Sequence, residues 1–170
     1  MTETHKNERF TALIQQHKGI LYKVAQAYCR DAADREDLLQ EMALQLWRAF
    51  DRYDETLRLS TWMYRIALNV AISFYRKERS RRSLSGEIGE SIFLIPAPAA
   101  ETEREGRLLL LQQFIHELPD LEKALMLLYL EERSYREIAD IVGITETNVA
   151  TKIARIKVKL REKFSQTEHI

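Results

Sequence analysis

Ser134-Tyr135-Arg136-Glu137-Ile138-Ala139-Asp140-Ile141-Val142-Gly143-Ile144-Thr145 is the stretch on which the fold turns. Ser134 with Glu137 three residues on is a capping-box pattern, which opens a short helix carrying Ile138, Ala139, Ile141 and Val142. Gly143 supplies the turn, and Thr145 is placed to cap a longer helix with Val149, Ile153, Ile156 and Leu160 on its inner face. A short helix, a glycine turn and a basic second helix make a helix-turn-helix. The periodicity leaves Asn148, Thr151, Lys152, Arg155 and Lys159 on the outer side of the second helix. Such proteins lay the first part of that helix in the major groove, so Asn148, Thr151, Lys152 and Arg155 are candidates for base edges and Lys159 for a phosphate. A bracing role for Arg155 against Glu131 or Glu132 is the alternative.

Working backwards, Arg107 to Leu118 reads as a helix interrupted at Pro119 and resumed through Leu121, Ala124, Leu125, Leu128 and Tyr129. Ser83 to Gly106 holds three glycines, Pro96, Pro98 and five acids around one apolar knot, Ile92 to Ile95, and reads as a flexible linker. Fully extended it spans roughly 80 Å, about two turns of DNA at roughly 34–36 Å each. Before it come three amphipathic patterns. Phe10, Leu13, Ile14, Leu21, Val24, Ala25 and Tyr28 share one face between Lys6 and Arg30, with Gly19 a weak point and His17 a packed histidine. Leu38, Leu39, Met42, Ala43, Leu46, Trp47 and Phe50 share one between Asp34 and Phe50. After a loop from Asp51 to Leu59, Ser60 or Thr61 is expected to cap a third helix whose buried stripe is Trp62, Ile66, Val70 and Phe74. The expected fold is all-α: two small helical domains, 1–82 and 107–170, joined by the linker 83–106.

Composition agrees. The 170 residues are 45% hydrophobic with only 5 Gly and 3 Pro, enough apolar material for cores and little turn chemistry for a large sheet. The single Cys29 forms no intrachain disulfide, which suits a reducing compartment, and no targeting segment or membrane span is visible; the expected location is the cytoplasm, with no membrane contact. The 26 basic and 26 acidic residues cancel overall but not locally. Residues 1–82 carry an excess of four positive charges, 83–106 an excess of four negative ones, and the final helix gathers Lys152, Arg155, Lys157, Lys159, Arg161 and Lys163. Neutrality therefore does not exclude a nucleic-acid partner.

Enzyme chemistry finds no support: His5, His17, His116 and His169 are far apart, and neither HExxH, GxSxG nor GxxxxGK[ST] occurs. No catalytic residue, metal ligand or cofactor is expected. Glu36, Asp37 and Glu41 read as helix-dipole partners rather than a metal site. The basic run Arg76, Lys77, Arg79, Arg81 and Arg82 suits phosphates, with a solvated helix end as the alternative. Arg65, Asn69, Ser73 and Arg76 form a row of donors able to meet bases or phosphates, Trp62 reads as core, and Tyr53 and Tyr64 are open stacking candidates.

Four motifs carry a resemblance: Asp34-Arg35-Glu36-Asp37-Leu38-Leu39-Gln40-Glu41-Met42, then Ser60-Thr61-Trp62-Met63-Tyr64-Arg65-Ile66-Ala67-Leu68-Asn69, then Leu118-Pro119, then Ser134 to Ala139. In order and spacing they resemble regions 2.2, 2.3–2.4 and 4.1–4.2 of the sigma-70 family, and the lack of regions 1.1 and 3 resembles its extracytoplasmic-function (ECF) subgroup. The resemblance implies a non-enzymatic subunit that binds core RNA polymerase, at the beta-prime clamp and the beta flap, and directs initiation at promoter DNA. It implies clamp contacts from Asp37, Gln40, Glu41 and Arg48, and −10 contacts from Tyr53, Arg65, Asn69, Ser73, Arg76 and Lys77, with Asn69 and Tyr53 resembling residues of a pocket for a flipped base. It implies −35 contacts from Asn148, Thr151, Lys152, Arg155 and Lys159, and an anti-sigma factor as a further partner. The sequence departs from the family at Leu68 and Ala150, uncharged where many relatives carry a basic residue. The acidic linker resembles a segment that threads toward the polymerase active site, a plain tether being the alternative. A helix-turn-helix regulator that binds duplex DNA without polymerase is the competing reading.

Overall fold

A computed structural model describes residues 2–85 and 102–168. Every regular element among them is helical: α1 (Glu3–Tyr28), α2 (Ala32–Ala49), a 3-10 turn (Phe50–Arg52), α3 (Leu59–Ser85), α4 (Glu103–His116), α5 (Asp120–Leu130), α6 (Tyr135–Val142) and α7 (Glu146–Glu168). The chain divides into two compact units, one holding residues 1–75 and the other most of the residues that follow.

In the first unit α1 packs on α2 and α2 runs into the 3-10 turn. Asp31 caps α2 by accepting the Ala33 amide at 3.2 Å. The core is Leu21, Val24, Ala25 and Tyr28 from α1, Leu38, Met42 and Leu46 from α2, and Met63, Tyr64, Ala67, Leu68 and Ala71 from α3. Each large side chain taken fully out of water there contributes about 1.5–3 kcal/mol. Two departures from the expected helix have simple causes. α1 continues past Gly19 but bends at His17, whose φ of −118° and ψ of 15° leave the helical region. α3 begins at Leu59, so Ser60 and Thr61 lie inside its first turn, where the Trp62 amide bonds the Arg58 carbonyl at 3.1 Å.

The buried stripe of α3 is also displaced. Trp62, Ile66, Val70 and Phe74 are only half-buried, while Met63, Tyr64, Ala67, Leu68 and Ala71 face inward. Residues four apart drift by about 40° per step on a helix of 3.6 residues per turn, so choosing the row of largest side chains overlooked the smaller alanines that let helices approach closely. Tyr64, at 1% exposure, is core and not a stacking platform.

In the second unit α7 packs on α5 and α4, and α4 on α5. Phe114 of α4 meets Phe164 of α7 edge to face at 5.0 Å. α4 starts at Glu103, earlier than Arg107, because Thr102 Oγ1 accepts the Glu105 amide at 3.1 Å. The knot Ile92 to Ile95 lies outside the described residues. α5 buries Lys123, Ala124, Leu125, Met126 and Leu128, whereas Leu121 stands 36% exposed. Four consecutive buried positions mean burial on more than one face, which single-face periodicity does not anticipate.

The helix-turn-helix forms as its caps dictate. The Glu137 amide donates to Ser134 Oγ at 3.1 Å and the Asn148 amide to Thr145 Oγ1 at 3.1 Å. The Glu137 carboxylate accepts from Arg133 at 3.4 Å. Gly143 has φ +81°, a left-handed conformation that glycine adopts without strain. Val149, Ile153, Ile156 and Leu160 are all buried.

Candidate nucleic-acid interface

On α7 the inward stripe forces the opposite side out. Asn148, Thr151, Arg155 and Lys159 are exposed and Lys152 half-buried, and at about 100° per residue they share one flank. Arg155 makes no ion pair among the described residues, so bracing by Glu131 or Glu132 is not seen. Lys159 is held: its Nζ lies 3.1 Å from both carboxylate oxygens of Glu122. One turn on, Lys163 pairs with Glu117 at 2.8 Å, and Lys157 sits 4.3 Å from the Tyr129 ring. Ala150 is half-buried.

On α3, Arg65, Asn69, Ser73, Arg76 and Lys77 are all exposed and lie opposite the true buried stripe. The Arg82 side chain lies outside the described residues. Leu68 is buried at 4% exposure, so this position faces the core. Trp62, three and seven residues before Arg65 and Asn69, shares their side of the helix and is half-buried. Its ring lies 4.8 Å from that of Tyr53 and 6.4 Å from Phe50. The sequence reading placed Trp62 in the core. The available signal was its register with Asn69.

Tyr53 is half-buried, its hydroxyl donating to the Leu57 carbonyl at 3.0 Å. The loop around it is further tied by an Asp54 turn, in which Oδ1 accepts the Thr56 amide at 2.9 Å and the Leu57 amide donates to the Asp54 carbonyl at 3.0 Å. The amide and then the hydroxyl of Thr56, both donating to the charged form, hold the Asp54 carboxyl below the ordinary carboxylate value.

On α2, Asp37, Gln40 and Arg48 are exposed and Glu41 half-buried, with Gln45 donating to Glu41 at 2.9 Å. The helical period puts these four in one stripe with Leu44, 40% exposed, at its centre. Sequence reasoning passed over Leu44; its signal was an apolar residue in register with a polar row. Among the described residues no acid, histidine or cysteine group is arranged to hold a metal, and no helix is long and apolar enough to cross a membrane.

A helix-turn-helix with polar and basic side chains exposed on its second helix, together with an exposed donor row beside aromatics on α3, has the character of a nucleic-acid-binding protein. Family models agree: Sigma-70 region 2 matches residues 13–81 and Sigma-70, region 4 matches residues 108–160. The chain belongs to the sigma-70 family of RNA polymerase sigma factors, in its ECF group, whose members direct the polymerase to promoters and are not themselves enzymes. It is 27% identical over 157 residues to the ECF RNA polymerase sigma factor SigM of Bacillus subtilis, covering 91% of this chain and 94% of that protein. With SigW of the same organism the identity is 27% over 169 residues, covering 92% and 89%. The fold resembles that of CnrH in complex with the cytosolic domain of CnrY, with a TM-score of 0.67, 20% identity and coverage of 94% and 90%. It also resembles the sigma factor RpoE in complex with the anti-sigma factor NepR from Bartonella quintana, with a TM-score of 0.66, 21% identity and coverage of 96% and 98%.

Proposed function

We propose that the three solvent-facing stripes divide the work of initiation. The α2 stripe of Asp37, Gln40, Glu41 and Arg48 docks on the beta-prime clamp of core polymerase, with Leu44 as its apolar centre. The α3 side and its preceding loop engage the −10 element: Asn69 reads a base edge, Tyr53 supports the loop, and Arg65, Ser73, Arg76 and Lys77 meet base or phosphate. On α7, Asn148, Thr151, Lys152 and Arg155 read the −35 major groove and Lys159 meets a phosphate, while this second unit rests on the beta flap. The two domains, one ending with α3 and the other beginning with α4, are joined by the segment between those helices; the protein acts in the cytoplasm and takes an anti-sigma factor as a partner. The observation that carries the reading is that three polar stripes, exposed except at the half-buried Glu41, Tyr53 and Lys152, each lie opposite a buried one.

Run-off transcription with purified core polymerase tests it. Addition of the chain is expected to produce discrete start sites that core alone does not. Tight binding of duplex promoter with no new transcript would instead favour the polymerase-independent regulator.

A further inference from the structure

The region 2 match begins at residue 13, yet three residues of α1 before it reach the turn and loop that join α2 to α3. Lys6 Nζ lies 2.9 Å from Asp51 Oδ2 and 4.0 Å from the centroid of Trp47, and its side chain is only 16% exposed. Arg9 lies 3.4 Å from Glu55 and 5.9 Å from the Phe50 ring. Phe10 meets Trp47 at 5.2 Å and Phe50 at 5.5 Å, edge on in both cases. Phe50 in turn touches Trp62, and Trp62 touches Tyr53. The bend at His17 separates this part of α1 from the part that buries Leu21, Val24, Ala25 and Tyr28.

Charge gives the contact a purpose. The loop from Asp51 to Arg58 carries Asp51, Asp54 and Glu55 against Arg52 and Arg58, a net negative charge beside a surface assigned to a phosphodiester strand. Lys6 and Arg9 each meet one of those acids and turn the local sum positive. We propose that Lys6, Arg9 and Phe10 are positioning residues for −10 recognition: they brace the 51–58 loop in one arrangement and offset its acids so that the strand can approach. The inference rests on the reading that this loop and α3 engage the −10 element. Exposed ion pairs are individually weak, but Lys6 is largely desolvated against an indole face, where a cation is held more firmly. A preorganised loop avoids ordering costs on binding.

The test uses the full chain reconstituted with core polymerase. The Lys6→Met/Arg9→Gln pair keeps both apolar stems and removes both charges; Arg9→Glu with Glu55→Arg swaps an exposed pair. Transcription is measured on promoters with the preferred and with a substituted −10 base, alongside the −35 response, core affinity and melting temperature. The double variant is expected to lose roughly fivefold in −10 discrimination with the −35 response and core affinity kept. Arg9→Glu alone should lose discrimination and Glu55→Arg restore it. An unchanged −10 ratio in the double variant, a swap that restores nothing, or an equal fall in the −35 response together with melting temperature overturns the proposal. Transcription by the unaltered chain that ignores the −10 base overturns the parent reading instead.

Discussion

Arg155 and Lys159 stand one turn apart on α7 and differ in what holds them: Arg155 has no ion pair among the described residues, while Glu122 grips Lys159 with both oxygens. A free guanidinium is available for a bidentate base contact worth roughly 1–3 kcal/mol, about 5- to 150-fold. Arg155→Ala is therefore expected to lower transcription by that order on promoters that depend on the −35 element, with core binding and melting temperature nearly unchanged. Lys159→Ala should cost less, because the lysine must first leave a carboxylate to reach a phosphate. Relative run-off on matched and scrambled −35 templates reads both. A marked fall in melting temperature for Arg155→Ala, with −35 preference intact in the folded fraction, makes the residue structural. The spacing of the inward stripe was enough to place Arg155 outside. Nothing in the sequence pairs Lys159 with Glu122, which are 37 positions apart and meet only because α7 packs on α5.

The loop between α2 and α3 shows how an element acquires a shape its own residues only partly specify. Asp54 and Thr56 close a local turn, as Asp side chains often do two residues on. The aromatic contacts of Tyr53 and Phe50, by contrast, come from Trp62 and Phe10 on other helices. Because the Asp54 carboxyl is depressed in the fold, its contribution is fully present above the ordinary value of 3.8 and is lost as pH falls through the lower folded value. The Thr56 amide resonance should accordingly titrate with a midpoint below 3.8, and Asp54→Ala should abolish that step. A midpoint at or above the ordinary value would falsify the turn. The displaced stripe of α3 has the same cause. Its four-residue rows are locally similar, and which row faces inward depends on the helices it meets.

Over the whole molecule, 26 cations balance 26 anions, and several cations of α7 are already met by acids or a ring of their own unit. With Lys157, Lys159 and Lys163 engaged in this way, fewer cations of α7 are left to release counterions from duplex DNA. The isolated chain is expected to bind promoter duplex weakly while forming a stable complex with core polymerase. Size-exclusion at micromolar concentrations of chain and core, beside a duplex mobility shift of the chain alone, measures both. Separate elution from core together with a tight duplex shift contradicts it.

What the sequence determined by itself is local or periodic: the caps at Ser134 and Thr145, the left-handed turn at Gly143, the inward stripe of α7 and the order of the motif blocks. These depend on hydrogen bonds within four residues and on the 3.6-residue repeat, both properties of neighbouring positions. Only tertiary packing decided the rest. It turned Met63 and Leu68 inward in place of Trp62 and Phe74, buried Lys123, left Leu44 exposed in the α2 stripe, and brought Lys6 and Arg9 to Asp51 and Glu55 across 45 and 46 positions. Those outcomes rest on which surfaces meet, and a surface's partner is not encoded in its own spacing.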